Sequence, residues 1–328
     1  MRLPSPRGAL SQQLFAALGK GTALAIANGP TDEDDLQISL WALYELHYRG
    51  FDQVDDGREW DPQVLALRAR LEVPFETSLR RRVAGTVRAA LDHGPSVVDQ
   101  LTHICERRGS GLPRFLERKA TADQFREFLM TRSDYHLKES DPQAWALPRT
   151  TGHAKAALAE LLYDEFGNGS GERVHQELFA TAMQDAGLVT DYGSYIDQTP
   201  AHVLTVNNAM SLLGLHRRLR GASLGHLAAF EMTSTAPSRR IARGAERLGF
   251  GPAVAAYYDE HVEADAVHEQ LASRSICGSL VAAEPRLRDD VLLGAALCVV
   301  LEKASGTRTL QDWADGRSAL RPLRETVR

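Results

Sequence analysis

The sequence predicts an all-α fold, because helical periodicity runs along almost the whole chain while alternating strand patterns are scarce. Hydrophobic residues make up 43% of the 328 residues and charged residues 25%, a balance that favours a globular protein with a sizeable core. Short stretches of glycine, proline and polar residues separate the helical segments, which indicates antiparallel neighbours in a bundle. A chain of this length is expected to form one large domain, or one domain with an extension.

The first half of the chain contains four predicted helices: 33–50, 62–92, 96–108 and 121–138. The first of these begins with an acidic turn and ends at Gly50, as helix start and stop signals require. The second begins with a proline at its first position, and Pro74 is expected to interrupt it because proline removes a backbone hydrogen bond. The glycine-rich segment GSGLP predicts a turn before the fourth helix.

The second half contains six predicted helices: 152–166, 172–187, 190–218, 222–247, 251–271 and 286–304. All residues with metal-ligand character lie in the later part of the chain. We therefore predict an N-terminal helical extension over 1–112 and a main domain over 113–328. In the extension, the apolar side chains predict either a subunit contact or an internal core: Trp41, Tyr44, Leu46 and Tyr48.

Composition excludes several classes of protein. The net charge of -5 gives no electrostatic footprint for nucleic acid. The three cysteines, Cys105, Cys277 and Cys298, are far apart, which argues against a disulfide framework and a thiolate zinc site and favours the cytoplasm. No segment approaches about 18 consecutive apolar residues, and no secretory signal is recognisable, so no membrane association is expected.

The strongest motif is HVEADAVH at 261–268. On an α-helix, steps of four and seven residues rotate by about 40° and about -20°, so His261, Asp265 and His268 share one face. Two imidazoles and a carboxylate suit Fe(II) well. Three polar residues on one face are more often the wet side of a helix, but the small apolar neighbours here indicate a buried face. Buried ionisable groups are costly unless they are paired or bind metal.

Further carboxylates and one histidine occupy apolar or helix-terminal positions. Glu231 lies in LGHLAAFEM, Glu165 ends the run ALAELLYDE, and Glu139 follows a predicted helix. His175 follows the loose segment GNGSG. Carboxylate-rich sites with two or three histidines are what two irons need, since carboxylates bridge the metals and neutralise their charge. The ferritin-like pair of Glu-x-x-His motifs is not met, because only Glu172 to His175 matches it.

Taken together, these residues resemble the ligand set of the haem-oxygenase-like diiron oxidases and oxygenases. The order is acid, acid, His, acid, then His-x3-Asp-x2-His: Glu139, Glu165, His175, Glu231, His261, Asp265 and His268. The segments KESDPQAW, DEFGNG and AAFE are similar to the ligand-bearing helices of that family, and the likeness covers about 115–305. It implies a haem-oxygenase-like seven-helix bundle in the main domain and two irons held by these seven side chains. It also implies O2 as co-substrate, a peroxo-diferric intermediate, and Glu165 and Glu231 holding or bridging the irons.

The resemblance also implies a reaction class. Members hydroxylate amine or guanidine nitrogens, or cleave C–C bonds of fatty acids and amino acids. The wide gap between Glu165 and His175 is similar to the N-oxygenating branch, whose helical extension supports a homodimer. We therefore expect N-oxygenation of an amino-acid-derived small molecule, as in natural product biosynthesis, with an external reductant. The alternatives are a diiron oxidase that cleaves C–C or C–H bonds, and a metal-free helical binding protein on the same scaffold.

Two assignments stay open at this point. Glu172 lies one turn before His175 and could replace Glu165 as the carboxylate ligand. Arg132 and His136 share the helix face of Glu139, and Arg132 could hold a substrate carboxylate through a bidentate pair. Otherwise Arg132 lies at the surface or pairs with Glu127 or Asp134. The remaining histidines have no ligand spacing and are interpreted as structural: His47, His93, His103, His153, His202, His216 and His226.

Overall fold

The computed structural model describes residues 1–24, 29–106 and 109–323, with only the backbone of 263–267. These residues form helices and connecting turns, and no β-strand occurs among them, so the predicted all-α fold is confirmed. The α-helices are α1 Ala9–Lys20, α2 Glu33–Glu45, α3 Pro62–Leu91, α4 Val97–Cys105, α5 Leu112–Arg118, α6 Ala122–His136, α7 Asp141–Ala144, α8 Gly152–Glu165, α9 His175–Asp185, α10 Ala201–Leu215, α11 Arg220–Leu248, α12 Pro252–Gln270, α13 Ser279–Ala283 and α14 Arg288–Ala314. A π-helical stretch, Leu271–Gly278, joins α12 to α13. None of the described helices combines the length and the apolar character needed to traverse a lipid bilayer.

Local capping signals fix several helix ends. The Asp32 side chain accepts a hydrogen bond from the backbone N–H of Asp35 at the start of α2. Thr121 and Gln124 form a reciprocal capping box at the start of α6. At the end of α11, Gly249 takes a left-handed conformation with φ 71°, which glycine adopts without steric cost. These ends were therefore predictable from the sequence to within a few residues.

Other elements differ from the sequence prediction. Pro74 does not interrupt α3, because it lies on the exposed side while Leu71 and Phe75 keep the buried side packed. Residues 190–200 form turns and a short 3-10 helix, Ile196–Gln198, instead of α-helix, since Pro200 precedes the first residue of α10 and acts as its N-cap. Helices α1 and α5 were not predicted; α5 has only 7 residues, and the apolar face of each helix depends on tertiary contacts.

Helices α11 and α14 form the close central contact of the bundle. A β-carbon added to Gly225 of α11 would overlap the carbonyl oxygen of Val291 in α14. Reciprocally, a β-carbon on Gly294 of α14 would overlap the carbonyl oxygen of Ala222 in α11. The two backbones therefore touch at both glycines, and this contact fixes the position of α11, the helix that carries Glu231.

A Gly225→Ala variant is expected to lose stability, because its methyl group would push α14 away along a rigid backbone surface. Overpacking of this kind costs about 1–3 kcal/mol, and more where only backbone can yield. The matched control is Gly85→Ala in α3, where nothing lies within 4 Å and the side is exposed. That control should stabilise by about 0.5–1 kcal/mol through helix propensity. Urea denaturation of both variants measures the difference, and equal stabilities would contradict the backbone contact.

The N-terminal helices share one buried hydrophobic cluster with the later helices. Leu43 of α2 and Leu71 of α3 belong to the same cluster as Leu213 of α10 and Val291 of α14. The extension residues Trp41, Tyr44 and Leu46 are buried within this chain. Those side chains therefore form internal core, which was one of the two readings of the sequence. The division at 112/113 and the homodimer remain predictions.

Candidate metal centre

Two buried groups of acid and histidine side chains lie within the bundle. In each, one potential ligand atom per residue lies within 4.8 Å of the corresponding atoms of the other two residues. The first group consists of Glu139, His175 and His261, and the second of Glu165, Glu231 and His268. Six of the seven predicted ligands are thus brought together. The seventh, Asp265, has its side chain outside the described residues.

Five elements supply these side chains. Glu139 lies in the connection between α6 and α7, directly before Ser140, which has a positive φ of 67°. The end of α8 contributes Glu165, and the start of α9 contributes His175. Helix α11 supplies Glu231, the other glutamate of the second group. Helix α12 contributes one histidine to each group. The seven-residue spacing of these histidines therefore places them on one face, two turns apart, as the sequence predicted.

The ring of His261 is oriented by its own helix. Its Nδ1 donates a hydrogen bond to the carbonyl oxygen of Tyr257, 2.9 Å away. Its Nε2 is buried without a hydrogen-bond partner among the described residues and lies 3.6 Å from Oε1 of Glu139. Burial disfavours the charged ring, but the negative charge of Glu139 outweighs it and raises the pKa of His261 to about 10.

His268 has the same arrangement with the two nitrogens exchanged. Its Nε2 lies 2.7 Å from Oδ2 of Asp164, while Nδ1 is buried and makes no hydrogen bond in the described structure. That Nδ1 lies 3.5 Å from Oε2 of Glu231 and 3.6 Å from Oε1 of Glu165. Burial opposes the charged ring, yet the contact with Glu231 prevails and raises the pKa of His268 to about 9.

Glu165 connects the two groups. One of its oxygens, Oε2, lies 3.1 Å from Nδ1 of His175, and the other lies 3.6 Å from Nδ1 of His268. The contact with His175 has the distance of an ion pair but not the alignment of a hydrogen bond, so that nitrogen too is left without a partner. Ser140 Oγ donates to Oε2 of Glu165 at 3.0 Å. This carboxylate therefore faces histidines of both groups.

A second layer of contacts surrounds Glu139. Tyr257 donates its hydroxyl proton to Oε2 of Glu139 at 2.8 Å, and Nδ1 of His136 lies 3.2 Å from Oε1. The Tyr257 hydroxyl is also 2.6 Å from that nitrogen of His136. Burial alone would raise the pKa of Glu139, but the charges of His136 and His261 hold it well below its ordinary value. Glu139 is therefore an anion buried among imidazoles.

These residues fit metal ions. Each of the three histidines presents one buried nitrogen that makes no hydrogen bond within the described structure. Leaving such groups unpaired costs free energy, and a metal ion in each group would satisfy them together with the facing carboxylates. The other ring nitrogen of each α12 histidine makes a hydrogen bond, His261 with the carbonyl oxygen of Tyr257 and His268 with the carboxylate of Asp164. Metal-bound imidazoles usually make such a bond. The mixed nitrogen and oxygen donor set is the one that non-haem iron prefers.

The structure shows where Glu165, Glu172 and Arg132 lie, the residues whose roles the sequence left open. Glu165 is buried within the second group, whereas Glu172 is exposed in a short 3-10 turn before α9. This placement favours Glu165 as the carboxylate ligand. Arg132 is half-buried and makes a bidentate ion pair with Glu302 at 2.8 and 2.7 Å. Its partner is therefore a residue of α14 that the sequence analysis did not consider.

Sequence reasoning missed Asp164, Tyr257 and Ser140. Asp164 directly precedes Glu165, so on a helix the two side chains point about 100° apart. Only one of two adjacent acids was therefore expected to face the site, and Glu165 was chosen. Tyr257 precedes His261 by four residues, and this spacing on α12 was a usable signal. Ser140 could not be recognised, because its role depends on a positive φ and on a contact with a residue 25 positions away.

A cavity of about 630 Å³ lies beside the first group. Its lining includes His136, which contacts Glu139 and Tyr257, and the ion pair of Arg132 and Glu302. Aromatic side chains, among them Phe230 and Tyr258, form part of the wall. This volume lies within the range of small-molecule sites. Both residues proposed for substrate binding therefore line a space that a substrate could enter.

His226 lies on α11 and is buried, and neither ring nitrogen has a hydrogen-bond partner in the described structure. Burial lowers its pKa from 6.5 to about 4, although Glu302 acts in the opposite direction. Between about pH 4 and pH 6.5, His226 is therefore neutral in the folded protein and protonated in the unfolded chain. The contribution of His226 to stability should be full above about pH 6.5 and should fall by on the order of 3 kcal/mol as the pH drops to about 4.

Replacing His226 with leucine should make this pH dependence shallower, because the variant loses one of the two histidines whose pKa burial lowers to about 4, the other being His202. Denaturant midpoints measured between pH 7 and pH 4 give the slope for each protein. His153→Leu, at an exposed position in α8, is the matched control and should keep the wild-type slope. Identical slopes for wild type and His226→Leu would contradict the prediction.

Comparison with known proteins places the chain in a family. The model of a family described as iron-containing redox enzymes matches residues 126–303, which is more than half of the chain. The chain belongs to this family. The matched segment includes every predicted ligand from Glu139 to His268. The protein is accordingly an oxidoreductase of an iron-dependent family, and the haem-oxygenase-like resemblance stated from the sequence is confirmed.

Two individual proteins are similar to this member of the family. It is 28% identical over 148 residues to nitrosourea synthase of Streptomyces achromogenes subsp. streptozoticus, covering 45% of this chain and 31% of that relative. The chain thus spans about a third of the relative's length. A solved structure of a CADD-like protein of unknown function from Nostoc punctiforme superposes with a TM-score of 0.52 at 16% identity. The match covers 66% of this chain and 96% of that one, which supports the fold alone.

Proposed function

We propose that the protein is a non-haem diiron oxygenase that uses O2 to oxidise the nitrogen of an amine or guanidine in a small, amino-acid-derived molecule. The observation that carries the proposal is the set of three buried histidine nitrogens that lack hydrogen bonds and face carboxylates in two linked groups. A metal-free binding protein would leave these groups uncompensated. An external reductant, a homodimer and a cytoplasmic location belong to the same proposal.

Each group would hold one iron. Glu139, His175 and His261 would bind the first, and the second group would bind the other, with Glu165 placed to serve both. Bound iron would supply the electrons and the coordination positions that O2 activation needs. Asp164 and the carbonyl of Tyr257 fix the two α12 rings, so that the nitrogens without hydrogen bonds point into the centre.

The chain itself would handle protons and substrate. The Tyr257 hydroxyl holds a proton at Oε2 of Glu139, and His136 Nδ1 lies within hydrogen-bond distance of that hydroxyl. Because His136 also lines the cavity, it is placed to receive a proton from a substrate nitrogen. Phe230 and Tyr258 limit the water around the reacting atoms. Glu269 adds a carboxylate to the lining, which suits a cationic amine or guanidinium.

The family and the relative support this proposal to different degrees. The family supports iron and redox chemistry. The relative is named nitrosourea synthase, and its name indicates a product with a nitroso group on nitrogen. The second candidate is a diiron oxidase that cleaves C–C or C–H bonds of a fatty or amino acid. The apolar part of the cavity wall, with Phe128, Met232 and Val299, would suit an alkyl chain, and Lys303 would suit its carboxylate.

Anaerobic titration with Fe(II) tests the metal site first. We expect two irons per chain for the wild type and one for His268→Ala, while exposed His153→Ala should keep both. A wild type that binds no iron would refute both oxidative functions and favour a binding protein. The loaded enzyme is then mixed with O2 and a reductant in the presence of an amine and guanidine panel or a fatty-acid panel. Mass gain of oxygen in the first panel supports N-oxygenation, and carbon loss or desaturation in the second supports the alternative.

A further inference from the structure

The loop that carries Glu139 is held by residues from the N-terminal part of the chain. This ligand loop, residues 137–141, connects α6 to α7. Its Ser140 has φ 67°, a left-handed conformation that residues with a β-carbon rarely adopt. Such a conformation persists when surrounding contacts impose it. The contacts on the loop therefore decide where the Glu139 carboxylate lies.

Arg49 provides the first contact. It follows α2, and its Nη2 donates hydrogen bonds to the carbonyl oxygen of Leu137 and to Oε1 of Gln176, both at 2.7 Å. Arg49 itself is exposed, and its guanidinium lies over the ring of Tyr192 at 4.7 Å. A single exposed side chain thus joins the beginning of the ligand loop to α9. The planar guanidinium makes this connection directional.

Gln176 continues the connection to the metal ligands. Its Nε2 donates to the carbonyl oxygen of Glu139 at 2.9 Å and to Oδ1 of Asp141 at 3.0 Å. Gln176 also directly follows His175, the second ligand of the first group. The side chain of one residue therefore fixes the backbone of Glu139, while its own backbone is continuous with His175.

A buried ion pair holds the same loop from a second direction. Lys138, the residue before Glu139, is 2% exposed, and its Nζ donates to Oε2 of Glu45 in α2 at 3.0 Å. Tyr192 donates to the same oxygen at 2.7 Å. Among the described residues, no comparable contact reaches the second metal group from α2 or from Arg49. The N-terminal region therefore acts on the backbone of Glu139 in the first group, and in the described structure it reaches the second group only through the Ser140 hydroxyl, which donates to Glu165 at 3.0 Å.

We propose that Arg49 and Gln176 are positioning residues that set the metal affinity of the first group, so that the N-terminal extension acts mainly on one of the two iron sites. The inference rests on the proposed diiron function. Loss of such outer contacts typically weakens metal binding about 10- to 100-fold. Among the described residues, the loop contacts the second group only through Ser140, so the second group should lose less affinity. The extension would then have a role in the reaction centre besides any role in assembly.

The test separates the two groups by ligand deletion. The full chain carrying His268→Ala retains the first group, and the chain carrying His261→Ala retains the second. Arg49→Met is introduced into the wild type and into both backgrounds, and Fe(II) affinity is measured anaerobically by equilibrium dialysis. We expect about 10- to 100-fold weaker binding in the His268→Ala background and a distinctly smaller loss in the His261→Ala background, where the loop contributes only the Ser140 contact with Glu165. In the otherwise wild-type chain, one of the two binding steps should weaken by the same factor.

Three further variants guard against a general loss of structure. Arg247→Met removes another arginine that holds backbone carbonyl oxygens, those of Leu116 and Ala120, and it should leave both affinities unchanged. Arg49→Lys keeps a charged donor and should restore part of the affinity. Gln176→Leu removes the other half of the connection and should reproduce the effect of Arg49→Met. Thermal midpoints of the metal-free proteins verify that each variant is folded.

The outcomes distinguish the inference from the proposed function. Unchanged affinity of the first group in both Arg49→Met and Gln176→Leu would overturn the inference, as would equal weakening of both groups. If the wild type binds two irons, the proposed function stands even when one of these two results overturns the inference. Absence of iron binding by the wild type would overturn both.

Discussion

Replacing Glu165 with alanine should reduce the iron content to less than one per chain and lower O2-dependent activity at least about 100-fold. The reason is the position of this carboxylate between the two groups, 3.1 Å from a nitrogen of His175 and 3.6 Å from one of His268. Loss of an outer contact to a metal ligand already costs about 10- to 100-fold in affinity or activity, so loss of a shared ligand should cost more. Removing the carboxylate also takes from His175 the negative charge 3.1 Å from its Nδ1, while His268 keeps Glu231 and Asp164.

Glu160→Ala is the control for this variant. Glu160 lies on the same helix, α8, but is exposed, so its loss should affect neither iron content nor activity. Iron is counted by a colorimetric chelator assay after anaerobic loading and desalting. A Glu165→Ala protein that retains two irons would show that Glu165 is not a ligand of either site, and Glu172 would then be the next candidate.

Replacing Glu45 with alanine should destabilise the protein by about 3–5 kcal/mol, the cost of removing one partner of a buried ion pair. Glu45 is 0% exposed and Lys138 2%, so the ammonium group of Lys138 would remain in the interior without its carboxylate. The hydroxyl of Tyr192 would lose its acceptor in the same variant. Urea denaturation of the metal-free protein measures the effect without a contribution from bound iron.

Two further proteins make the stability result specific. Asp123→Ala breaks an exposed pair with Arg126, in which the aspartate side chain is 91% exposed, and should cost between about 0 and 1 kcal/mol. The double variant Glu45→Leu/Lys138→Met removes both charges and should recover most of the loss, because apolar side chains can replace a buried pair. If Glu45→Ala costs no more than Asp123→Ala, the pair is not buried in solution.

The elements that the sequence predicted well are those with local causes. The shared face of His261 and His268 follows from helix geometry, and Glu231 was conspicuous because a lone acid in an apolar run needs a partner. The start of α6 follows from its capping box. In each case the deciding interaction spans fewer than eight residues, a range over which sequence spacing translates directly into distance.

The parts that the sequence could not provide depend on long-range contacts. The partner of Arg132 is 170 positions away at Glu302, and Arg49 meets Gln176 across 127 positions. No periodicity relates such residues, since only the packing of helices brings them together. The division of the predicted ligands into two groups has the same origin. The sequence presented one set, while the fold assigned the two histidines of α12 to different neighbours.

The segment of this chain that matches the family is shorter than the part that must fold together. The family match begins at 126, yet Leu43 and Leu71 from upstream share one buried cluster with Leu213 and Val291 of the matched segment. A fragment that began at 113 would present this apolar surface to water and to other fragments, and aggregation would be its expected fate. The segment that carries the predicted metal ligands is therefore not expected to fold as a free module. Gene fusion or fission upstream of it would have to preserve helices α1 to α4 with it.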